Sequence, residues 1–175
     1  KLNNNRFPKF ITSYNYNETE GYILEYIYGK DFYEILAKDE YEFSKNEIYN
    51  IAEELLNIIY ILQENSIVHR DIRTSNVILN EDNQLVLIDF GLARYIDNNR
   101  YLKEVDYWYL ADFLLHLYYS SYYPDGESVE KPWYEELNLN SYEIRFLKKL
   151  MSIEEPYKNI EEIRADLDKI KNLNI

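Results

Sequence analysis

The feature that most constrains this chain is a helix that marks both its own start and its buried side. Ser44-x-x-Glu47 has the form of a capping box, in which the hydroxyl accepts an orphan backbone N–H and the carboxylate reaches back to the cap. Behind it, Ile48, Ile51, Ala52, Leu55, Leu56, Ile59 and Leu62 recur at helical spacing, so the pattern predicts an amphipathic helix over about 45–64. One apolar face on a helix of that length requires a body to bury against. The chain can supply it: 175 residues correspond to one domain, or one and a small piece, and 46% of them are hydrophobic. Global disorder is excluded on the same ground.

The rest of the chain builds outward from that helix. Residues 10–16 and 21–28 are rich in Tyr, Ile and Thr and flank a polar turn, Asn17 to Gly21, which predicts a β-hairpin. Gly29-Lys30 is expected to break the run, and Asp31 to cap a short helix reaching about Ala37. Two short apolar runs, 76–79 and 85–88, lie either side of Asn80-Glu81-Asp82-Asn83 and read as a second hairpin. Residues 105–119 are apolar almost all round, which predicts a central buried helix with His116 as a core histidine. Two amphipathic helices follow, about 141–151 and one capped by Asn159. The aromatic stretch 118–123 is expected to be a helix end and loop, and the acidic region 127–136 a solvated face. The order gives an α+β chain with a mainly helical body.

Composition removes several functions. A net charge of −13 argues against non-specific binding of nucleic acid or of an anionic membrane. With no Cys there is no disulfide framework, no Cys-ligated zinc and no thiol nucleophile, which fits a reducing, cytoplasmic setting. No apolar run approaches the roughly 18 residues of a membrane span. The four glycines, Gly21, Gly29, Gly91 and Gly126, are too scattered for a glycine-rich phosphate loop.

The residues able to do chemistry gather around the second hairpin. Before it stands His69-Arg70-Asp71-Ile72-Arg73-Thr74-Ser75-Asn76, and after it Asp89-Phe90-Gly91. A tight hairpin brings its ends together, so Asp71 and Asn76 should lie beside Asp89. Two carboxylates and an amide oxygen next to an Arg make a plausible Mg²⁺–phosphate site, with hard oxygen ligands, a base and a cation.

The string His69-Arg70-Asp71-x-x-x-x-Asn76, followed by Asp89-Phe90-Gly91, resembles the catalytic loop and metal-binding motif of protein kinases. Tyr22 to Ile27 is similar to the last N-lobe strand running into the hinge, and Asp106-x-Trp108-x-Leu110-Ala111 to the start of the buried F helix. The resemblance implies an α+β protein kinase-like fold, with residues 1–28 as the last two N-lobe strands and hinge and 29–175 as the C-lobe. It implies ATP and Mg²⁺ as cofactors and a protein Ser/Thr hydroxyl as acceptor. Asp71 would be the base and Arg73 a cation by the γ-phosphate, with Asn76 and Asp89 as metal ligands. Leu24 would be the gatekeeper, Glu25 and Ile27 would offer backbone to adenine, Asp31 would reach the ribose, and Ile78 would floor the base. His69, Arg70, Phe90, Gly91 and Asp106 would be structural, with His69 stacked on Phe90 and Asp106 holding the backbone at His69 and Arg70.

The departures from the family carry expectations of their own. The glycine-rich loop, the strand Lys and the helix Glu are absent, and the chain opens Lys1-Leu2-Asn3 without Met. They are expected upstream, in a longer protein without which these residues would be inactive. The stretch Gly91 to Asp106 is less than half the usual activation segment, lacks an A-P-E motif, and holds no Ser or Thr. In this it is similar to small atypical kinases of the RIO type and to the kinase-like ATPase of the tRNA threonylcarbamoyl machinery. A kinase-like ATPase subunit, a small-molecule kinase and a pseudokinase scaffold are the alternatives to a protein kinase.

Overall fold

The computed structural model describes residue 2, residues 4–124 and residues 131–173. The first hairpin forms from β1 (Phe10–Tyr16) and β2 (Thr19–Leu24), antiparallel, with Tyr14 opposite Gly21. Its turn residues Asn17 and Glu18 both take positive φ. The second strand starts and stops earlier than expected, and residues 25–28 form no strand.

Gly29-Lys30 does not break the chain. It opens a further strand, β3 (Gly29–Asp31), which leads directly into α1 (Phe32–Ala37). Asp31 caps that helix as expected, its Oδ1 accepting the Glu34 N–H at 2.8 Å. The strand exists because Gly29 lets the backbone come close. Its φ is +148°, and a Cβ there would stand 2.2 Å from the Leu79 carbonyl oxygen.

The capping box forms as its residues dictate: the Glu47 carboxylate accepts the Ser44 N–H at 2.8 Å and opens α2 (Lys45–Glu64). After α2 come β4 (Ile67–Val68), β5 (Val77–Asn80) and β6 (Leu85–Leu87). The second hairpin is β5–β6, and β3 joins it to give a three-stranded antiparallel sheet in the order β3-β5-β6. A two-residue ribbon pairs β4 with β7 (Arg94–Tyr95).

The remaining helices are α3 (Glu104–Tyr119), α4 (Trp133–Glu136), α5 (Ser141–Leu150) and α6 (Ile160–Leu173). Helix α2 is the hub, packing on α3, α6, β4 and β6, while α5 bridges α3 and α6. Leu55, Leu56, Ile58, Ile59 and Leu62 of α2 are fully buried against Leu110, Phe113 and Leu117 of α3. Asn159 caps α6 by accepting the Glu162 N–H at 2.9 Å.

Helix α3 is less uniformly buried than its composition suggests. Trp108, Asp112 and His116, spaced at i, i+4 and i+8, form a stripe open to solvent. His116 is therefore not a core histidine: its side chain is 57% exposed, and Nδ1 hydrogen-bonds the Asp112 carbonyl one turn back. Trp108, at 44% exposure, puts a large aromatic side chain on the surface. Residues 119–123 do form the helix end and loop. Of the acidic region 127–136, residues 127–130 lie outside the described residues; Glu136 in the remainder accepts the Tyr119 hydroxyl at 2.6 Å.

Candidate active site

The second hairpin does the positioning. Val77 pairs with Leu87, and the Ile88 N–H donates to the Asn76 carbonyl at 2.9 Å, so Asn76 closes one strand where Asp89 leaves the other. The register thus brings together two residues that lie on opposite sides of the hairpin in sequence.

Asp71 sits just before this end and is buried, with both its oxygens in use. Oδ1 accepts from Arg73 Nε at 2.7 Å and lies 2.5 Å from Nη2; Oδ2 accepts from Asn76 Nδ2 at 2.8 Å. The same Asn76 amide donates to the Asp71 carbonyl at 3.0 Å. Committing Nδ2 in this way leaves the side-chain oxygen of Asn76 available as an acceptor. The bond to Asp71 holds the exposed Arg73 guanidinium protonated, its pKa raised above the ordinary value. Asp89 is exposed in a left-handed conformation (φ 61°, ψ 77°), with Oδ1 accepting the Gly91 N–H at 3.1 Å.

A second layer holds this loop from beneath. Asp106, fully buried in the first turn of α3, accepts the His69 N–H and the Arg70 N–H, each at 2.8 Å. Arg70 takes a φ of +68°, a conformation costing about 1–3 kcal/mol for a non-glycine residue, and the paired carboxylate bonds hold it there. Burial pushes the Asp106 carboxyl up to about 6 against the pull of those two N–H groups. His69 is buried as well, which depresses its pKa to about 4 and keeps the ring neutral. Its Nε2–H donates to the Ile88 carbonyl at 3.1 Å, its Nδ1 has no hydrogen-bond partner among the described residues, and Phe90 meets it edge-on at 4.8 Å between centroids.

The residues expected around the adenosine are placed less uniformly. Ile78 and Asp31 are direct neighbours in register across β3–β5, but Asp31 Oδ1 is committed to the helix cap. Leu24 pairs with Phe10 at the base of the first hairpin. Glu25 donates its N–H to the Lys9 carbonyl at 2.8 Å, and its carboxylate receives the Lys9 N–H at 3.1 Å. Ile27 is half-buried.

The donor set suits a hard divalent cation. The Asn76 oxygen and the Asp89 carboxylate are hard oxygen donors on adjoining backbone, of the type Mg²⁺ prefers. Among the described residues no cluster of three or more His, Cys, Asp or Glu side chains could cage a metal.

Several contributors gave no clear signal in the sequence. Phe7 is buried and meets Phe90 edge-on at 5.7 Å, while the Arg6 carbonyl accepts the Leu87 N–H at 2.9 Å. The segment before the first hairpin is thereby tied to the strand that carries Asp89. Asp97 gathers the N–H groups of Asn99, Arg100 and Tyr101 on one oxygen at 2.8–2.9 Å, which lowers its pKa. The Asp-Asn-Asn sequence is a turn signal that could have marked that loop.

The sequence pattern of the family described as "Protein kinase domain" matches residues 1–161. The chain belongs to the protein kinase family. It is 34% identical over 169 residues to the probable serine/threonine-protein kinase YbdM of Bacillus subtilis, covering 94% of this chain and 65% of that one. It is 34% identical over 109 residues to human cyclin-dependent kinase 9, covering 57% and 29% respectively, and 30% identical over 94 residues to a probable KIN1 homolog of Encephalitozoon cuniculi, covering 53% and 16%. The chain therefore spans less than two thirds of the length of these relatives. No helix among the described residues is long and apolar enough to cross a membrane.

Proposed function

We propose that this kinase chain carries the C-lobe, hinge and last two N-lobe strands of a MgATP-dependent protein kinase that transfers the γ-phosphoryl group to a Ser or Thr hydroxyl. The observation that carries the reading is the convergence of Asp71, Asn76 and Asp89 at one end of the β5–β6 hairpin. The probable serine/threonine kinase from Bacillus, matched along nearly the whole chain, supports the acceptor class.

Each residue then has a task. The Asp71 carboxylate orients the acceptor hydroxyl and takes its proton as the oxygen attacks the γ-phosphorus and the ADP oxygen leaves. Asn76 keeps its amide nitrogen on Asp71 while its oxygen, with the Asp89 carboxylate, would hold the metal. Bound Mg²⁺ supplies charge neutralisation on the phosphates. Arg73, anchored on Asp71, holds a cation beside the phosphoryl group in flight. Leu24, Glu25, Ile27, Asp31 and Ile78 would surround the adenosine, with backbone of Glu25 and Ile27 facing the base.

The test is Asp89→Asn in the full-length protein. Loss of a metal ligand should lower phosphoryl transfer by orders of magnitude, with the circular dichroism spectrum unchanged. Activity within about threefold of wild type would overturn the assignment. A second reading, a kinase-like ATPase acting within a complex, is favoured by the short stretch between Gly91 and Asp106. Following the labelled γ-phosphate separates the two, since it ends on protein in one case and in water in the other.

A further inference from the structure

The stretch between the metal-binding motif and α3 contains no Ser or Thr, yet it is ordered by contacts of its own. Its outer loop closes on Asp97, whose carboxylate collects three consecutive backbone N–H groups, and the Asp97 N–H returns to the Tyr101 carbonyl at 3.2 Å. Its inner end is pinned by the β4–β7 ribbon and by the Ile96 N–H on the Ser66 carbonyl at 2.8 Å. The loop so built delivers the half-buried ring of Tyr101 to two guanidinium groups, with Arg70 Cζ at 5.0 Å and Arg100 Cζ at 5.4 Å from its centroid.

Arg70 is the informative partner. Its backbone belongs to the strained turn that Asp106 holds next to Asp71, and its Nη1 donates to the Leu92 carbonyl at 3.2 Å. One side chain thus reaches from the catalytic loop to two points of the segment, Leu92 and Tyr101. The buried Asp106 carboxylate attracts this guanidinium but spends its oxygens on the His69 and Arg70 N–H groups, and no ion pair to Arg70 forms among the described residues, so part of its charge is left to be offset elsewhere. The face of an aromatic ring provides such an offset, worth more where water is partly excluded.

We infer that Tyr101 is a positioning residue for the catalytic loop: its ring, through Arg70, fixes the segment against the loop that carries Asp71, so that the site is ordered without any modification of the segment. The interaction belongs to the π-face and not to the hydroxyl. The inference rests on the kinase reading only where activity is measured.

Tyr101→Phe and Tyr101→Leu in the full-length protein separate the possibilities. Hydrogen exchange by mass spectrometry needs no activity. It should show wild-type protection in the Phe variant and roughly threefold to tenfold faster exchange over residues 69–73 and 91–101 in the Leu variant. In the kinase assay the Leu variant should lose kcat by a similar factor with KM for ATP unchanged, and the Phe variant should retain it. A Leu variant indistinguishable from wild type in exchange would overturn the inference. So would a Phe variant that behaves like the Leu variant, because the hydroxyl or a phosphate on it would then be the working group. An inactive wild type would count against the kinase reading while the exchange comparison still decided the role of Tyr101.

Discussion

Asp106 and His69 are neighbours with opposite electrostatic histories, and their pairing sets how the loop that carries Asp71 responds to acid. Asp106 leaves two donors unpaired when truncated, so Asp106→Ala should cost about 2–4 kcal/mol in urea unfolding. The pH dependence follows from the directions of the two shifts. His69 is depressed from 6.5 to about 4, so the stability tied to its neutral ring is present above pH 6.5 and lost as pH falls towards 4. Asp106 is raised from 3.8 to about 6, so its contribution runs the other way: present below 3.8 and lost as pH rises through 6. The two slopes oppose each other between pH 4 and 6. Asp106→Asn removes one of them, and its stability should fall more steeply than that of the wild type on going from pH 6.5 to 4. A parallel pair of curves would mean the two groups do not titrate as their burial dictates. Asp106 was readable because the resemblance to protein kinases implies a carboxylate on the backbone at His69 and Arg70, where it is found. The ionic pair between Arg73 and Asp71 was not, because the two are only two residues apart and their alignment depends on the turn between them.

Among the elements, α5 shows what a second capping box can hide. Asn140 and Glu143 cap it reciprocally, Oδ1 accepting the Glu143 N–H at 3.0 Å and the carboxylate receiving the Asn140 N–H at 2.7 Å. Yet Glu143 is 1% exposed, and it also accepts the Tyr49 hydroxyl and the Lys45 ammonium, at 2.6 and 2.7 Å. One carboxylate therefore ties α5 to α2. Glu143→Ala should cost about 2–4 kcal/mol by stranding buried donors. Lys45→Ala should cost under about 1 kcal/mol, because Lys45 is partly solvated and its loss leaves Glu143 with three other donors. Equal losses in denaturant titrations would show that the cap alone, and not the bridge to α2, is what Glu143 supplies. The Asn-x-x-Glu spacing is present in the sequence, but nothing local to it shows that the Glu is buried against α2. The strand at Gly29 was obscured for a different reason. A glycine next to a lysine signals a break, and only its close approach to Leu79 across the sheet turns it into a pairing position. Gly29→Ala should accordingly loosen β3 from β5 and lower the melting temperature, whereas Gly91→Ala, where a Cβ meets only the Asp89 carboxylate at 3.1 Å, should be milder.

At the scale of the whole molecule, the parts that were legible are those where local pattern and burial agree. Helices α2 and α6 and the two hairpins belong here, since each is specified by one contiguous run of sequence. What stayed hidden is the assembly of short strands across long separations, β3 on β5 and β4 on β7, and the anchoring of Phe7 against Phe90. None of these has a period to detect. The same distinction divides the molecule energetically. Helices α2 and α3 share a core of fully buried side chains, while every residue of β1 and most of β2 is exposed, including Ile11, Tyr16 and Tyr22 at 61%, 72% and 60%. A hairpin with so little apolar burial is marginal by itself, and its hydrogen bonds face water. It should open locally while the helical body stays folded, linked to it through the Phe7 anchor. Hydrogen exchange by mass spectrometry on this chain should therefore show residues 10–24 exchanging at least about a hundredfold faster than residues 51–62, with the latter opening only in global unfolding. Adding denaturant should accelerate the helical amides and leave the hairpin amides almost unchanged, because local opening exposes little new surface. Equal protection in both regions would mean that the hairpin gains its stability from the body, and that the two unfold as one cooperative unit.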